Sequence, residues 1–491
     1  MEKRRGKALS LRLTERDYEK GKKLQNGSAR FFIAAAVYYG GGGRALCKSP
    51  EVSEEDEKRN TEYGLSGKGG PIGPERARIL VDNGTALAER IRLISQAKER
   101  IILSTFDFRA DESGKDVLAA LQAAADRGVS VKVIVDGMSG FLRVVGNEYF
   151  GTLAAMDNVE IKIYNPFNFA KPWHLMARLH DKYLIADHSA YILGGRNTFS
   201  YFLGDHDGYK NYDWDVLVYE QEYREGCSME QVEQYFEGVW ALPESRLHRV
   251  RHPEKQKYAD ARAELEERYR NMQKEHPDWF EQIDYAEKTV PVNKATLLSN
   301  PVTLYAKEPT VFYAVTDLMG RVEEKVRFHT PYILCNKFML ERLEQVCGAV
   351  PEVTMMTNSI ANNGNPFGSM DYWKNKKKIL DTGVNILEYD GGVSYHGKCF
   401  TVDDRLVGVG SFNWDMRSVY IDTELMLVLD SPELNTHLQW IMDEYEKQAL
   451  TIHEDGTATA PEGMEPQEVS LKSKIRIAVL YLFGYWARFL M

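Results

Sequence analysis

The stretch HDKYLIADHSAYILGGRN (180–197) sets a lysine two residues after a histidine and an aspartate seven after it, then ends on two glycines, an arginine and an asparagine. Taken alone, it reads equally as a buried strand pair with polar ends or as a site that handles phosphate. A second stretch, HGKCFTVDDRLVGVGSFN (396–413), decides between them. It repeats the histidine, the lysine at +2, the aspartate at +7, the glycine at +14 and the asparagine at +17. One H-x-K-x4-D match is weak in a chain with eleven histidines. Two matches at equivalent places in a longer repeat are not chance.

The surroundings repeat as well. Ahead of the first motif come TALAERIRLISQAKE (85–99), with apolar residues at helical spacing, and RIILSTFDF (100–108), a strand of branched and aromatic residues. GKDVLAALQAAADRG (114–128), VSVKVIVDG (129–137) and VEIKIYN (159–165) continue the alternation as helix, strand and strand. Ahead of the second motif, VFYAVTDLMGRVEE (311–324), KVRFHTPYIL (325–334), NKFMLERLEQVCG (336–348), EVTMMTNS (352–359), YWKNKKKILDTG (372–383) and VNILEYDGG (384–392) repeat that order. The chain is an internal duplication. The pattern predicts an α/β fold of two tandem halves, each a mixed, largely parallel sheet flanked by helices, related by a pseudo-twofold. Expected boundaries are an irregular basic segment at 1–76, a first half at 77–250, a charged helical linker at 251–290, a second half at 291–450 and a tail at 451–491. The run KNKKK (374–378) is read as the solvated face of a helix.

Strand geometry turns the motif into chemistry. Residues i and i+2 of a strand face the same side, so His180 with Lys182, and His396 with Lys398, meet one ligand. The glycine turn of the next strand brings Asn197 or Asn413 to the same face, beside Gly195 and Ser411. Two such faces make a phosphodiester site in which lysines and amides hold the non-bridging oxygens. One histidine attacks phosphorus, and the other protonates the leaving oxygen and then activates the incoming hydroxyl. The lysines supply the positive charge, so neither metal nor cofactor is called for. Each imidazole needs an acceptor at its other nitrogen, and Asp215 in NYDWDVLV and Glu424 in YIDTELMLV are the expected ones. Asp187 and Asp403 complete the catalytic motifs and are expected to brace them through backbone or lysine contacts. His174, His188, His206 and His329 are read as ordinary histidines.

Bulk properties narrow the substrate. The net charge of −10, from 62 basic and 72 acidic side chains, counts against duplex nucleic acid as the main partner. Five scattered cysteines without CxxC pairing suit a reducing compartment. No run reaches the roughly 20 apolar residues of an unaided membrane span. RFFIAAAVYY (30–39) follows a basic leader unlike a signal peptide. The closing segment KSKIRIAVLYLFGYWARFLM (472–491) suits a helix lying in a membrane interface, or alternatively one docked on the protein's own core.

The paired motifs, with YNPF (164–167), Arg178 ahead of His180, GGRN (194–197), TPYIL (330–334), TNSIANN (357–363) and GSFNWDMRS (410–418), resemble the phospholipase D superfamily and its bacterial cardiolipin synthase branch over most of 77–445. The resemblance implies two α/β halves sharing one active site. It implies phosphatidyl transfer through a phosphohistidine to the hydroxyl of phosphatidylglycerol or a similar acceptor, with phosphatidylethanolamine a possible donor. It also implies a peripheral place at the membrane, on the cytoplasmic side, with His180 as nucleophile and His396 as acid/base. A lipid hydrolase or a nuclease of the same superfamily is the alternative activity. The chain departs from the branch at Gly195, where the second motif has Ser411, at Asp422, where an asparagine is usual, and in its short N-terminal apolar run.

Overall fold

A computed structural model describes residues 49–54 and 73–484, apart from 169, 170, 172, 173, 175 and 305. The apolar run at 30–39 and residues 485–491 lie outside the described residues.

The first half contains β1 (Glu75–Leu80), α1 (Asn83–Gln96), β2 (Arg100–Thr105), α2 (Glu112–Asp126), β3 (Ser130–Asp136), α3 (Glu148–Ala154) and β4 (Val159–Tyr164). The motif hairpin β5 (Tyr183–Ala186) and β6 (Ala190–Gly194) follows, then β7 (Asp215–Glu220), α4 (Ser228–Ala241) and β8 (Ser245–Leu247). The surface helix α5 (Gln256–Glu275) crosses α2, held by pairs such as Lys115–Glu264 and Arg268–Asp116. The second half runs β9 (Lys294–Ser299), α6 (Thr310–Met319), β10 (Lys325–His329), α7 (Lys337–Ala349), β11 (Glu352–Asn358), α8 (Pro366–Leu380) and β12 (Asn385–Tyr389). Its motif hairpin is β13 (Cys399–Val402) and β14 (Leu406–Gly410), and β15 (Leu425–Asp430), α9 (Pro432–Glu446) and β16 (Ala449–Ile452) close it. A last helix, α10, spans Leu471–Gly484.

Short polar side chains start these helices where the sequence signals them. Asp82, Asp111 and Asn336 accept from Thr85, Gly114 and Met339 backbone N–H groups at 2.6, 3.1 and 2.9 Å, satisfying donors the first turn leaves free. Each of the two main sheets has nine strands, and their orders correspond: β1-β7-β6-β5-β2-β3-β4-β8 against β9-β15-β14-β13-β10-β11-β12-β16. Val290–Pro291 joins the edge of the first sheet beside β1, and Ala458–Thr459 the edge of the second beside β16.

The expectation of largely parallel sheets needs correction. Within the two nine-stranded sheets, which are mixed, parallel pairing is confined to β2-β3-β4 and β10-β11-β12, where helices return the chain. The motif hairpins and the strands on either flank pair antiparallel. A hairpin reverses direction without a crossover helix, and each motif is itself a hairpin.

Alternation along the strands sends side chains to two cores. Leu103, Val131, Val133 and Leu184 pack under α1 and α2. Ile102, Ile134, Tyr183 and Ile185 join α4 and the whole second half in one continuous apolar cluster. The halves therefore share a core rather than hang on a linker, and the motif ends of both sheets meet over it.

Candidate active site

Each motif histidine sits where a connecting segment enters its hairpin, and each entering segment pairs with the other half. Leu179 bridges to Thr423 in parallel, and Ser394–Tyr395 pairs in parallel with Asn211–Tyr212. The His180 N–H donates to Thr423 Oγ1 at 2.9 Å, and the His396 N–H to the Tyr212 carbonyl at 2.6 Å. The same crossings carry the carboxylates. His180 Nδ1 lies 2.9 Å from Glu424 Oε1, and His396 Nδ1 lies 2.6 Å from Asp213 Oδ2. Each half thus orients the histidine of the other. Phe106 and Phe202 set their edges to His180 and His396, with ring centroids 5.1 Å apart in both cases, and fix the ring planes.

Glu424 was an expected partner; Asp215 was the other, and it is not one. Its carboxylate is taken by Arg90 at 2.9 Å and Arg196 at 3.2 Å, both buried. The ladder explains the slip. Gly194 pairs with Asp215 and Gly410 with Met426, so the residue equivalent to Glu424 is Asp213. Asp213 lies sixteen residues past Asn197, whereas Glu424 lies eleven past Asn413. The longer first loop hides the register from a linear comparison. The signal for Asp213 is Gly195: a Cβ there would stand 2.1 Å from Asp213 Oδ1.

The other expected residues divide. Lys182 and Lys398 are buried within their own motifs, each donating to the carbonyl of its histidine. Lys398 Nζ also lies 2.6 Å from His396 Nδ1 and 3.7 Å from Asp213 Oδ2, so ammonium and carboxylate compete for one ring nitrogen. Asn197 accepts from the Asp107 N–H at 3.2 Å. Asn413 donates to the Tyr332 hydroxyl at 3.2 Å, and its buried Oδ1 has no partner among the described residues. Ser411 does not present a free hydroxyl, because its Oγ donates to Glu424 Oε2 at 2.5 Å. Arg178 clamps Asp136 through two nitrogens, at 2.9 and 2.5 Å, and so fixes the backbone two residues before His180. Asp422 pairs with Arg417 and accepts from the Arg178 N–H at 3.3 Å.

Asp187 and Asp403 lie at the far turns of the hairpins, roughly 20 Å of strand from their histidines. Both adopt the left-handed conformation, with φ of 52° and 45°, which aspartate tolerates better than most residues. Asp187 accepts the N–H groups of Lys98, Glu99 and Arg100, and Asp403 those of Glu323, Glu324 and Lys325. They pin each turn to the start of the neighbouring strand and touch no reacting group. The expected ordinary histidines are accounted for outside the site: His206 meets Ser113, His188 meets Arg100, His329 meets Tyr395 and Glu446, and the His174 carbonyl accepts from Asn165. The KNKKK run lies on α8, with Lys376 on Glu388 and Lys377 on Asp381.

The electrostatics are asymmetric. Burial, and then the neighbouring lysines, hold His180 well below the usual imidazole value and His396 down to about 4, so both rings are neutral near pH 7. Burial pushes Glu424 up to about 8. Burial is the strongest single influence on Asp213 and pushes it up, but the Lys398 ammonium, His396 and Arg196 together outweigh it and hold that carboxyl below its ordinary value. Burial lowers Lys182 to about 7. The site therefore pairs a neutral imidazole with a glutamate whose carboxyl burial pushes up, and a second neutral imidazole with a carboxyl held down.

A family model described as cardiolipin synthase, PLD-like domain, matches residues 91–240 and 315–445, more than half of the chain and both motif hairpins. The chain belongs to this family. It is an enzyme of the phospholipase D type, with the family's two repeated halves. Among curated relatives, cardiolipin synthase C of Escherichia coli is 26% identical over 394 residues, covering 71% of this chain and 80% of that one. Cardiolipin synthase 1 of Staphylococcus aureus is 22% identical, covering 78% and 69%. An uncharacterised Helicobacter pylori protein is 25% identical, covering 76% and 80%. The crystal structure of phosphatidylserine synthase from Haemophilus influenzae superposes with a TM-score of 0.59 at 15% identity, covering 88% of this chain and 99% of that one, and so shares its fold.

Proposed function

We propose that the protein is a phosphatidyltransferase that makes cardiolipin or a related diphosphatidyl lipid, with His180 as nucleophile and His396 as acid and base. The observation that carries the assignment of roles is the difference between the two carboxyls. A histidine that becomes an imidazolium is stabilised by a carboxylate that stays ionised, which Asp213 does and Glu424 does less readily. In the first step His180 Nε2 attacks phosphorus. The P–O bond to the leaving alcohol breaks, and the proton on His396 passes to that oxygen. The anionic phosphodiester raises His396 toward protonation as it binds, beside Asp213. In the second step His396 takes the proton of an acceptor hydroxyl, whose oxygen attacks phosphorus as the P–N bond breaks. Lys182 and Lys398 leave their own carbonyls to hold the non-bridging oxygens.

The attachment to membrane that this role needs is supported by α10. One face packs on α8, with Tyr481 accepting from Lys374 at 2.9 Å, while Leu471, Ile475 and Val479 are exposed beside Lys472, Lys474 and Arg476. Both expectations for this segment thus find support, since it docks and still offers an apolar, basic face. Among the described residues no helix is long and apolar enough to cross a membrane.

The test is a lipid assay of the purified protein on phosphatidylglycerol vesicles with and without phosphatidylethanolamine, beside His180→Ala and His396→Ala. Cardiolipin formed only by the wild type supports the reading. Phosphatidic acid without cardiolipin makes the protein a hydrolase and overturns it.

A further inference from the structure

The segment after β3 is built unlike an ordinary surface loop. In the five residues of Phe141–Val145, Phe141, Leu142 and Val145 are 53, 58 and 54% exposed, while Val144 between them is fully buried. Three large apolar side chains held out in water within five residues cost free energy unless something covers them. Nothing about the segment is slack. Asp136, at its start, accepts from Arg178 and from the Leu179 N–H, and the Ser139 hydroxyl donates to Asp107 Oδ1 at 3.0 Å. Gly140 sits against Ile163, where a Cβ would come within 2.5 Å, and Phe141 leans on Phe167 with ring centroids 5.8 Å apart.

The anchors tie the loop to the reacting groups. Arg178 and Leu179 lead into His180, and the Asp107 N–H donates to Asn197. On the His396 side, Tyr201 and Tyr209 stack edge to face at 4.9 Å and are 40 and 54% exposed. Tyr201 is fixed through its carbonyl to Asn211, which pairs with the segment leading into His396. An apolar tip stands on one side of the site and a tyrosine pair on the other.

The geometry points to a docking face for an anionic phospholipid bilayer, in which Phe141, Leu142 and Val145 enter below the headgroups. Tyr201 and Tyr209 lie at headgroup depth, where rings with one wet end are favoured. The local charge fits this occupant. Although the whole chain carries a net −10, the only charged residue in 137–146 is the exposed Arg143, a cation beside three exposed apolar side chains that an anionic headgroup layer attracts. The inference rests on the lipid-transfer reading for its substrate but not for its measurement.

The experiment compares the full chain with Phe141→Ser/Leu142→Ser and with Arg143→Glu, by flotation with phosphatidylglycerol and with phosphatidylcholine vesicles. Activity is read on phosphatidylglycerol vesicles and on a monomeric short-chain phosphatidylglycerol. The double variant is expected to lose at least tenfold in partition to phosphatidylglycerol vesicles and in activity on them, with melting temperature and monomer activity unchanged. Arg143→Glu is expected to weaken partition to phosphatidylglycerol vesicles alone. Unchanged partition of the double variant overturns the proposal, and so does an altered sedimentation coefficient with unchanged partition, which would mark a contact between copies. A wild type that floats but turns over neither substrate sinks the transferase reading and leaves the docking result to stand alone.

Discussion

Replacing Asp213 by asparagine separates the two histidines' roles. The side chain keeps its size and an oxygen that can face His396 Nδ1, now 2.6 Å away, but the charge is gone. Unit charges about 4 Å apart in a medium of effective dielectric about 20 interact by about 4 kcal/mol. That stabilisation acts only while His396 is an imidazolium, so a step needing its proton should slow by about a thousandfold. The assay uses two phosphatidyl donors that differ only in the leaving group: an aliphatic alcohol, which departs only with a proton, and p-nitrophenol, which departs as the anion. Asp213→Asn should lose about a thousandfold on the first and less than tenfold in the rate of the first-turnover burst of p-nitrophenolate from the second, read before the covalent intermediate is resolved. Asp215→Asn is the control. It strands Arg90 and Arg196, so it should destabilise by about 3–5 kcal/mol while leaving the leaving-group dependence unchanged. Equal losses on both donors for Asp213→Asn would refute the assignment of His396 as the acid. A leaving-group effect in Asp215→Asn instead would refute the register argument.

Three further outcomes follow from the same geometry. Asp187→Ala leaves three backbone N–H groups without their carboxylate and puts alanine at a positive φ, so it should cost about 1–3 kcal/mol in urea unfolding, with Asp187→Asn milder and the turnover of folded molecules unchanged in both. His396 lies lower in the fold than in the unfolded chain, so its stability is in place above pH 6.5 and is lost as pH falls toward about 4. The wild type should lose about 3 kcal/mol over that window that His396→Asn does not, measured by urea unfolding at pH 7.5 and 4. Removing 472–491 should reduce flotation with anionic vesicles while leaving activity on a monomeric short-chain lipid; unchanged flotation would exclude α10 from attachment.

The duplication was legible because both hairpins, their helices and their order recur in the sequence. His180, Lys182, His396 and Lys398 could be proposed for one site because the motif recurs at equivalent places in the two halves, although each histidine and lysine lies just ahead of its strand. What stayed hidden depends on register and on crossing between halves. Asp213 lies two residues before β7 and Asp215 opens it, and only the hydrogen-bond ladder tells which one corresponds to Glu424. Ser411 looked like a phosphate contact because sequence shows a hydroxyl but not the Glu424 carboxylate that accepts from it. The balance of parallel and antiparallel pairing was misjudged because periodicity fixes a strand's faces and not its direction.

The crossing of the carboxylates bears on how such a chain can change. A histidine and the acid that serves it are encoded far apart, on opposite sides of the repeat boundary, so neither half by itself holds a histidine together with its acid. The two crossings have also diverged as matched sets: glycine with aspartate at one, serine with glutamate at the other. Each set lies within one repeat, so only an exchange that breaks between residues 195 and 213, or between 411 and 424, would pair the wrong members, placing a side chain where Asp213 already lies or stripping Glu424 of its donor. The repeats can be exchanged as wholes but not in part. An inherited twofold thus supplies two chemically unlike acid sets to one site.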